Sequence, residues 1–345
     1  MKVALLASLG STIDTFFPEI VDEWRAKGVE VVTASSTDST VLPFTRIGSL
    51  SRGPTVRNFF APQQIRNWVD TVQPDVVITN TATASAVARL SRLSVPVIYF
   101  CHGLHWNQGR SLSDQMWKLI ETSLVNRTAG AITINQDDER WFSHRMRRDK
   151  VLRLHFGVGV PLETYPHAPV TPDGKVRLLW VGEFIERKQP SDAISVLRRL
   201  KSLGVDCSLT MLGEGPLLAA VRDQVANSKL SMDVMLPGRS DVRHYMHAST
   251  ALLHTAKWEG LPRVMLESLA CGRKTYAYDV KGVRDIPEVV LAPEGYPELL
   301  AEAIRDDTMP NGTPTELIFD RTLLDVRRTA SEMHDYISSF IKSGV

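Results

Sequence analysis

Trp258-Glu259-Gly260-Leu261-Pro262-Arg263-Val264-Met265-Leu266-Glu267 puts two carboxylates eight positions apart, the second inside an almost wholly apolar segment. Pro262 suits the first position of a helix and Gly272 its end, which predicts a short helix with Glu259 just before it and Glu267 within it. Val264, Met265, Leu266, Leu269, Ala270 and Cys271 leave little polar face, so the helix is expected to be buried all round, with both acids facing one site. A buried carboxylate needs partners, and ligand hydroxyls can supply them. The helix start offers unpaired N–H groups and a positive dipole end, a cradle for phosphate. Hydroxyl acceptors beside a phosphate cradle describe a nucleotide sugar. Alone, the pattern fits equally well a loop charge at Glu259 and a core Arg or Lys partner for Glu267.

Working outward from this segment, strands alternate with helices. In the second half the sequence predicts strands at Val176 to Val181, Cys207 to Leu212, Val234 to Leu236, Ala251 to Thr255 and Lys274 to Tyr278. Helices are predicted at Pro190 to Leu203, Leu217 to Ser228 and Val242 to Ala248, with two more at Pro287 to Ala303 and Leu323 to Ile341. The first half repeats the pattern, with strands at Lys2 to Ala7, Val29 to Ala34, Asp75 to Thr79, Val95 to Phe100 and Gly130 to Ile134. Between the halves, Gly157-Val158-Gly159-Val160-Pro161 and then Pro166, Pro169 and Pro172 break the alternation, which marks a boundary and a candidate hinge. The fold class is therefore α/β, with two Rossmann-like, doubly wound parallel-sheet domains facing across a cleft. The expected boundaries are 1–165, 166–322 and a C-terminal helix, 323–345, packing back toward the N-terminal domain.

A chain of 345 residues suits two cores of ordinary size. Forty basic residues against thirty-nine acidic ones give no global drive toward nucleic acid, which is not expected as a partner. Cys101, Cys207 and Cys271 lack the paired spacing of a zinc site or disulfide framework, which suggests a reducing compartment and no metal. No apolar run approaches the ~18 to 20 residues that span a bilayer, and no signal-peptide pattern follows Met1, so a cytoplasmic location is expected.

In open parallel sheets the ligand crevice lies beyond the carboxyl ends of the strands, so the loops after strands carry the information. After Val181 comes Gly182-Glu183-Phe184-Ile185-Glu186-Arg187-Lys188, where two adjacent cations can offset a diphosphate. Gly213-Glu214-Gly215-Pro216 is a turn that lets backbone approach a ligand. Gly10, in Leu9-Gly10-Ser11-Thr12, stands alone and does not make the G-x-G-x-x-G of a dinucleotide site. Phe100-Cys101-His102-Gly103-Leu104-His105-Trp106-Asn107 sets two imidazoles beside a glycine and an indole at a strand exit, a mix suited to a sugar.

Taken in order, these segments resemble the retaining glycosyltransferases of family 4, which have the GT-B fold. The likeness is strongest from Val176 to Glu288, through the Gly182…Arg187-Lys188 start, the Gly213–Pro216 turn, the Pro237-Gly238-Arg239-Ser240-Asp241-Val242 loop and the E-x7-E element. Cys101-His102-Gly103-Leu104-His105-Trp106, Ile132-Thr133-Ile134-Asn135, Gly157-Val158-Gly159-Val160 and Val181-Gly182-Glu183-Phe184 further resemble a subgroup that builds surface polysaccharides and glycans on polyprenyl carriers. The resemblance implies that Glu267 accepts ribose hydroxyls, Glu259 holds sugar hydroxyls, and Lys188 with Arg187 binds the diphosphate. Backbone at Gly182, Gly260, Leu261 and Pro262 would face the donor, Arg239 would border the base, and His102 would sit beside the donor sugar. His102, Glu259 and Lys188 are the expected catalytic residues, and Gly10, Ser11, His105 and Trp106 the acceptor side. Two departures are Glu183, where many relatives carry Arg, and Leu261-Pro262 in place of Phe-Gly.

The implied activity moves a hexose or N-acetylhexosamine from a nucleotide-diphosphate sugar, most simply a UDP-sugar, with retention and no obligatory metal or cofactor. The implied acceptor is a glycan or a polyprenyl-diphosphate-linked sugar in surface polysaccharide or glycoconjugate synthesis. Arg145, Arg147, Arg148, Lys150 and Arg153 form a basic cluster that fits either a solvated face or contact with anionic lipid at the inner face of the membrane. Two rivals share the architecture: a nucleotide-sugar 2-epimerase, and a sensor that binds sugar nucleotides without turnover.

Overall fold

The structure is a computed structural model that describes every residue except 54, 105, 107–110, 171, 309–311, 316 and 343–345. His105 therefore lies outside the described residues. The chain divides into two compact units, Met1–Gly159 with Asp325–Val345, and Val160–Leu324. The first division falls at Gly159, ahead of residue 165. The reason is local: Val160 N donates to Leu324 O at 2.7 Å, and Arg321 donates to the carbonyls of Leu162 and Tyr165, tying 160–165 into the second unit.

In the first unit the strands are β1 (Lys2–Leu6), β2 (Glu30–Ser35), β3 (Thr45–Arg46), β4 (Val76–Thr79), β5 (Val97–Cys101), β6 (Gly130–Thr133) and β7 (Val151–Arg153). Among the described residues they form one sheet in the order β3-β2-β1-β4-β5-β6-β7, with every pairing parallel. The central strands are apolar runs because helices cover both faces, and Val76–Thr79 and Val97–Cys101 are wholly buried. The C-terminal helix, Val326–Lys342, packs on helix Pro18–Ala26, where Trp24 Nε1 donates to Ala330 O at 2.8 Å. Gly130 is required under that helix, since a Cβ there would stand 2.5 Å from both Tyr336 Oη and Phe340 Cζ. A buried ion pair joins two other helices: Arg89 donates to both Glu121 oxygens, at 2.5 and 3.0 Å.

The second unit contains β8 (Val176–Val181), β9 (Cys207–Leu212), β10 (Val234–Gly238), β11 (Ala251–His254), β12 (Lys274–Tyr278) and β13 (Val289–Ala292). Its described order is β10-β9-β8-β11-β12-β13, again all parallel. Both sheets thus reverse strand order once, between β1 and β4 and between β8 and β11, and a ligand crevice in such a sheet opens at that switch point.

Three expectations need correction. The segment Pro287 to Ala303 is not one helix. Val289–Ala292 forms edge strand β13 on β12, and the helix begins only at Pro297, because the β-branched pair Val289-Val290 favours a strand and Pro293 with Gly295 (φ 80°) makes a turn. Gly10 and Ser11 are not loop residues but open a short helix, Gly10–Phe16. The E-x7-E helix runs from Arg263 to Ala270, with Pro262 as its N-cap rather than its first residue.

Candidate functional site

The switch point of the second unit brings two strand exits together. From β8 the chain passes Gly182 and enters a 3-10 turn, Glu186–Lys188, before Gln189 (φ 47°) redirects it into helix Pro190–Ser202. From β11 it passes Thr255 to Glu259. Thr255 Oγ1 joins the two exits, lying 2.9 Å from the carbonyls of Lys188 and Gln189 and accepting a hydrogen bond from Trp180 Nε1 at 3.0 Å. A further brace is the hydrogen bond from Lys257 N to Arg187 O, 2.8 Å.

This scaffold makes Glu259 the acceptor of two cations. Lys188 Nζ donates to Oε1 at 2.5 Å, and Arg187 Nη1 donates to Oε2 at 2.8 Å and to Trp258 O at 3.2 Å. The Arg187 guanidinium lies over the Trp258 ring, 5.0 Å from its centroid. His254 Nε2 stands 3.4 Å from Glu259 Oε1 and makes no hydrogen bond among the described residues. Burial raises the Glu259 carboxyl, and the contact with His254 and the charges of Lys188 and Arg187 more than cancel that, holding it well below the usual carboxylate range. Burial likewise pushes the His254 imidazole down, against the pull of Glu259, and so favours its neutral form. Two cations, one anion and a neutral imidazole leave net positive charge, which suits a phosphate-bearing ligand.

The backbone around Glu259 is held from behind. Glu259 N donates to Lys281 O at 3.0 Å, and Gly282 (φ 78°) lies so close that a Cβ would come within 2.4 Å of Gly260 O and 2.5 Å of Glu259 O. Gly260 and Leu261 are half-buried and lead through buried Pro262 into the helix.

Next to the cations a cavity of about 610 Å³ opens beyond the carboxyl ends of β8, β9 and β10. It is lined by Gly182 and Glu183, by the Gly213-Glu214-Gly215 turn and by Arg239. A Cβ on Gly213 would stand 1.9 Å from Gly182 O, and one on Gly215 2.7 Å from Phe184 N, so both glycines let the turn press on the β8 exit. Gly182 connects cavity and cations, its Cβ position lying 3.5 Å from Lys188 Cδ. The volume is that of a pocket for a small organic ligand.

Glu267 has partners of its own. Its partners come from the chain itself: Arg263 Nε at 3.2 Å, one helical turn earlier, and the hydroxyl of Tyr165. Burial nevertheless raises its pKa, with Arg263 and Tyr165 opposing, while burial and the Glu267 charge push the Tyr165 hydroxyl up. The two acids have separate sets of partners rather than a shared one. Each still has lone pairs to spare, since a carboxylate offers about four acceptor positions.

In the first unit, the β1 exit is tied to the β4 exit by a Ser8–Thr81 hydroxyl pair at 2.6 Å. Gly10 N donates to Thr37 Oγ1 at 2.9 Å, Gly10 packs too tightly on Asp38 O to admit a Cβ, and Ser11 is exposed. His102 follows β5 directly. Its ring stacks on Phe100 at 4.2 Å and lies against Phe16 at 4.6 Å, and its buried Nε2 has no hydrogen-bond partner among the described residues. Burial pushes this imidazole down to about 4, so it is neutral at pH 7. The loop is anchored by buried Asp138, whose Oδ2 accepts from Leu104 N at 3.0 Å and from Asn135 Nδ2 at 2.8 Å. Trp106 packs edge-on against Trp141 at 5.3 Å.

The basic cluster is largely spent on its own neighbours. Arg145 stacks on Trp141 at 4.3 Å, Lys150 on Phe340 at 4.2 Å, Arg147 pairs with Asp149 at 3.0 Å and Arg153 with Glu139 at 3.4 Å. Four residues at these sites escaped the sequence reading. His254 stands at a strand exit, the very place the crevice rule points to, whereas Tyr165, Asp138 and Gly282 carry no local signal.

Residues 14–160 match the model described as Glycosyltransferase Family 4, and residues 163–306 match Glycosyl transferases group 1. Among relatives, EpsD of Bacillus subtilis strain 168, a protein bearing a glycosyltransferase name, is 24% identical over 83% of this chain and 80% of its own length. EpsF of the same organism, named likewise, is 25% identical over 56% of this chain, a match spanning only 53% of EpsF. The crystal structure of HepE from Anabaena, in complex with UDP, superposes with a TM-score of 0.77 over 98% of this chain and 100% of that one, at 16% identity, a likeness of fold. Two consecutive family models match most of the chain, one in each unit, and the two parallel sheets agree with the fold of the solved neighbour: the chain belongs to the family 4 glycosyltransferases of GT-B fold.

Proposed function

We propose that this glycosyltransferase takes a hexose or N-acetylhexosamine from a UDP-sugar and transfers it, with retention at the anomeric carbon, to a glycan or a polyprenyl-diphosphate-linked sugar in surface polysaccharide synthesis. The observation that carries the donor reading is the Arg187–Lys188–Glu259 cluster at the β8/β11 switch point, continuous through Gly182 with the cavity of about 610 Å³. In this reading the base lies beside Arg239, the ribose reaches Glu267, and the diphosphate lies on Lys188 and Arg187. The fold neighbour from Anabaena, solved with UDP and with UDP-glucose, supports a uridine nucleotide. The CHGLHW-type loop at Cys101–Trp106 supports the lipid-linked acceptor.

The chemistry follows from charge. Breaking the bond to the diphosphate develops negative charge on the leaving oxygen, and fixed cations aimed there stabilise the transition state more than the ground state. Lys188 and Arg187 are held in place by Glu259 before the ligand arrives, so little reorganisation remains to be done. Each Glu259 oxygen has one close donor and keeps room for a sugar hydroxyl. Attack by the acceptor from the face the diphosphate leaves, with a diphosphate oxygen taking its proton, needs no protein nucleophile and gives retention.

Thermal-shift screening against UDP-, GDP- and ADP-sugars identifies the donor, because a ligand of the folded form alone raises the melting temperature. UDP release from that donor that requires a polyprenyl-diphosphate sugar, with an α-linked product from an α-linked donor, is the expected result. Epimerised nucleotide sugar without acceptor, or binding without turnover, overturns it.

A further inference from the structure

We propose that the first unit docks on an anionic lipid bilayer through an apolar rim made of Val56, Phe59 and Phe60 and of Leu112, Met116 and Leu119. This rests on the reading of a lipid-linked acceptor and names the surface that reaches it.

The six side chains are exposed in the whole chain, with Val56 87%, Phe59 83%, Leu112 91% and Leu119 72% accessible. Single exposed apolar residues are ordinary, but here they gather on two elements. Val56 and Phe59 lie in a 3-10 turn, Val56–Phe59, followed directly by Phe60, whose ring meets Phe59 edge-on at 5.8 Å. On helix Leu112–Leu124, the positions 112, 116 and 119 fall on one face, while Glu121 and Leu124 are buried.

The topology sets both elements at the same edge of the sheet. Arg52 O accepts from Thr83 Oγ1 at 2.9 Å, at the start of the helix that follows β4, and helix Leu112–Leu124 follows β5, the neighbour of β4. Both therefore border the carboxyl ends of the strands, the edge that carries His102.

The presentation is built, not frayed. Asn58 Oδ1 accepts from Ser51 N at 2.9 Å, and Asn58 Nδ2 donates to Gly53 O at 2.8 Å, which fixes the turn. A capping box between Ser111 and Asp114 fixes the helix start.

Charge selects the occupant. Arg52, Arg57 and Lys118 are exposed and make no ion pair among the described residues, and residues 51–60 contain no acid. Apolar and aromatic side chains flanked by unpaired cations suit the interface of a bilayer rich in anionic headgroups, where rings sit at headgroup level and each cation adds attraction. The 145–153 cluster, with its charges mostly engaged internally, is the poorer candidate.

The test is flotation of the full chain with vesicles of phosphatidylglycerol and phosphatidylcholine, and with phosphatidylcholine alone. The expected result is flotation with the anionic vesicles, a loss of about tenfold or more in partitioning for Phe59→Ser/Phe60→Ser and for Leu112→Ser/Leu119→Ser, and weakening by salt. Arg52→Gln/Arg57→Gln should remove the preference for phosphatidylglycerol. All three variants should keep the wild-type melting temperature and its shift with UDP, which separates failure of this surface from failure of the donor reading. Wild-type protein that stays at the bottom of the gradient, or variants that float as well as wild type, overturns the proposal. So does a lipid-free dimer that the Phe59→Ser/Phe60→Ser variant splits, since the rim would then cover a second copy.

Discussion

Glu259→Gln is expected to separate two duties that the native carboxylate combines. The substitution keeps shape and removes charge, leaving Lys188 and Arg187 without their anion at 2.5 and 2.8 Å. Breaking a fully buried pair costs about 3 to 5 kcal/mol, but Arg187 is 29% exposed and the Gln carbonyl still accepts one bond, so the unliganded protein should lose about 2 kcal/mol. The freed cations no longer share their charge with an internal acid, and UDP should bind about tenfold tighter, a gain of roughly 1.4 kcal/mol that restores much of the lost stability on ligand addition. Transfer moves the other way. Losing the charged acceptor of sugar hydroxyls, worth roughly 1.5 to 3 kcal/mol, lowers kcat/KM by about tenfold to a hundredfold. Calorimetric titration with UDP and initial-rate measurement of transfer read the two effects in one preparation. A Glu259→Gln protein that binds UDP more weakly than wild type, or that transfers sugar at the wild-type rate, refutes the reasoning.

Two other perturbations act on the first unit. His102 titrates at about 4 in the folded chain against 6.5 when unfolded, so the unfolded chain binds the extra proton between those values. The contribution is therefore intact above pH 6.5 and is lost as pH falls toward 4, by up to about 3 kcal/mol, and His102→Gln should flatten that part of a urea-stability profile against pH. Asp138→Ala leaves Leu104 N and Asn135 Nδ2 without their buried acceptor, and should cost about 1 to 3 kcal/mol in urea unfolding while lowering transfer and sparing the UDP-induced shift of the melting temperature.

The double alternation of strands and helices was legible because each half repeats short apolar runs closed by glycine or proline, and Val176–Val181, Cys207–Leu212 and Lys274–Tyr278 fall where the pattern predicts. Val289–Ala292 was misread because four apolar residues before a helix have no period of their own, and only pairing with β12 decides them. At the site, Arg187, Lys188 and Glu259 were legible since the rule of strand exits points to them. Their mutual ion pairing was not, because it depends on β8 and β11 lying side by side, which no local pattern states. The same limit hid Tyr165, whose hydroxyl meets Glu267 across about a hundred residues of chain. His254 was within reach, four residues before Trp258 and inside the strand predicted at Ala251 to Thr255.

The central claim is that a nucleoside diphosphate sugar lies on the cation pair at the β8/β11 switch point, and a crystal structure of the chain with UDP-glucose bound tests it most directly. The account predicts the diphosphate within hydrogen-bond reach of Lys188 Nζ and the Arg187 guanidinium, the ribose hydroxyls on Glu267 and the uracil beside Arg239. A nucleotide bound elsewhere, with Lys188 and Arg187 still closed on Glu259, would contradict it.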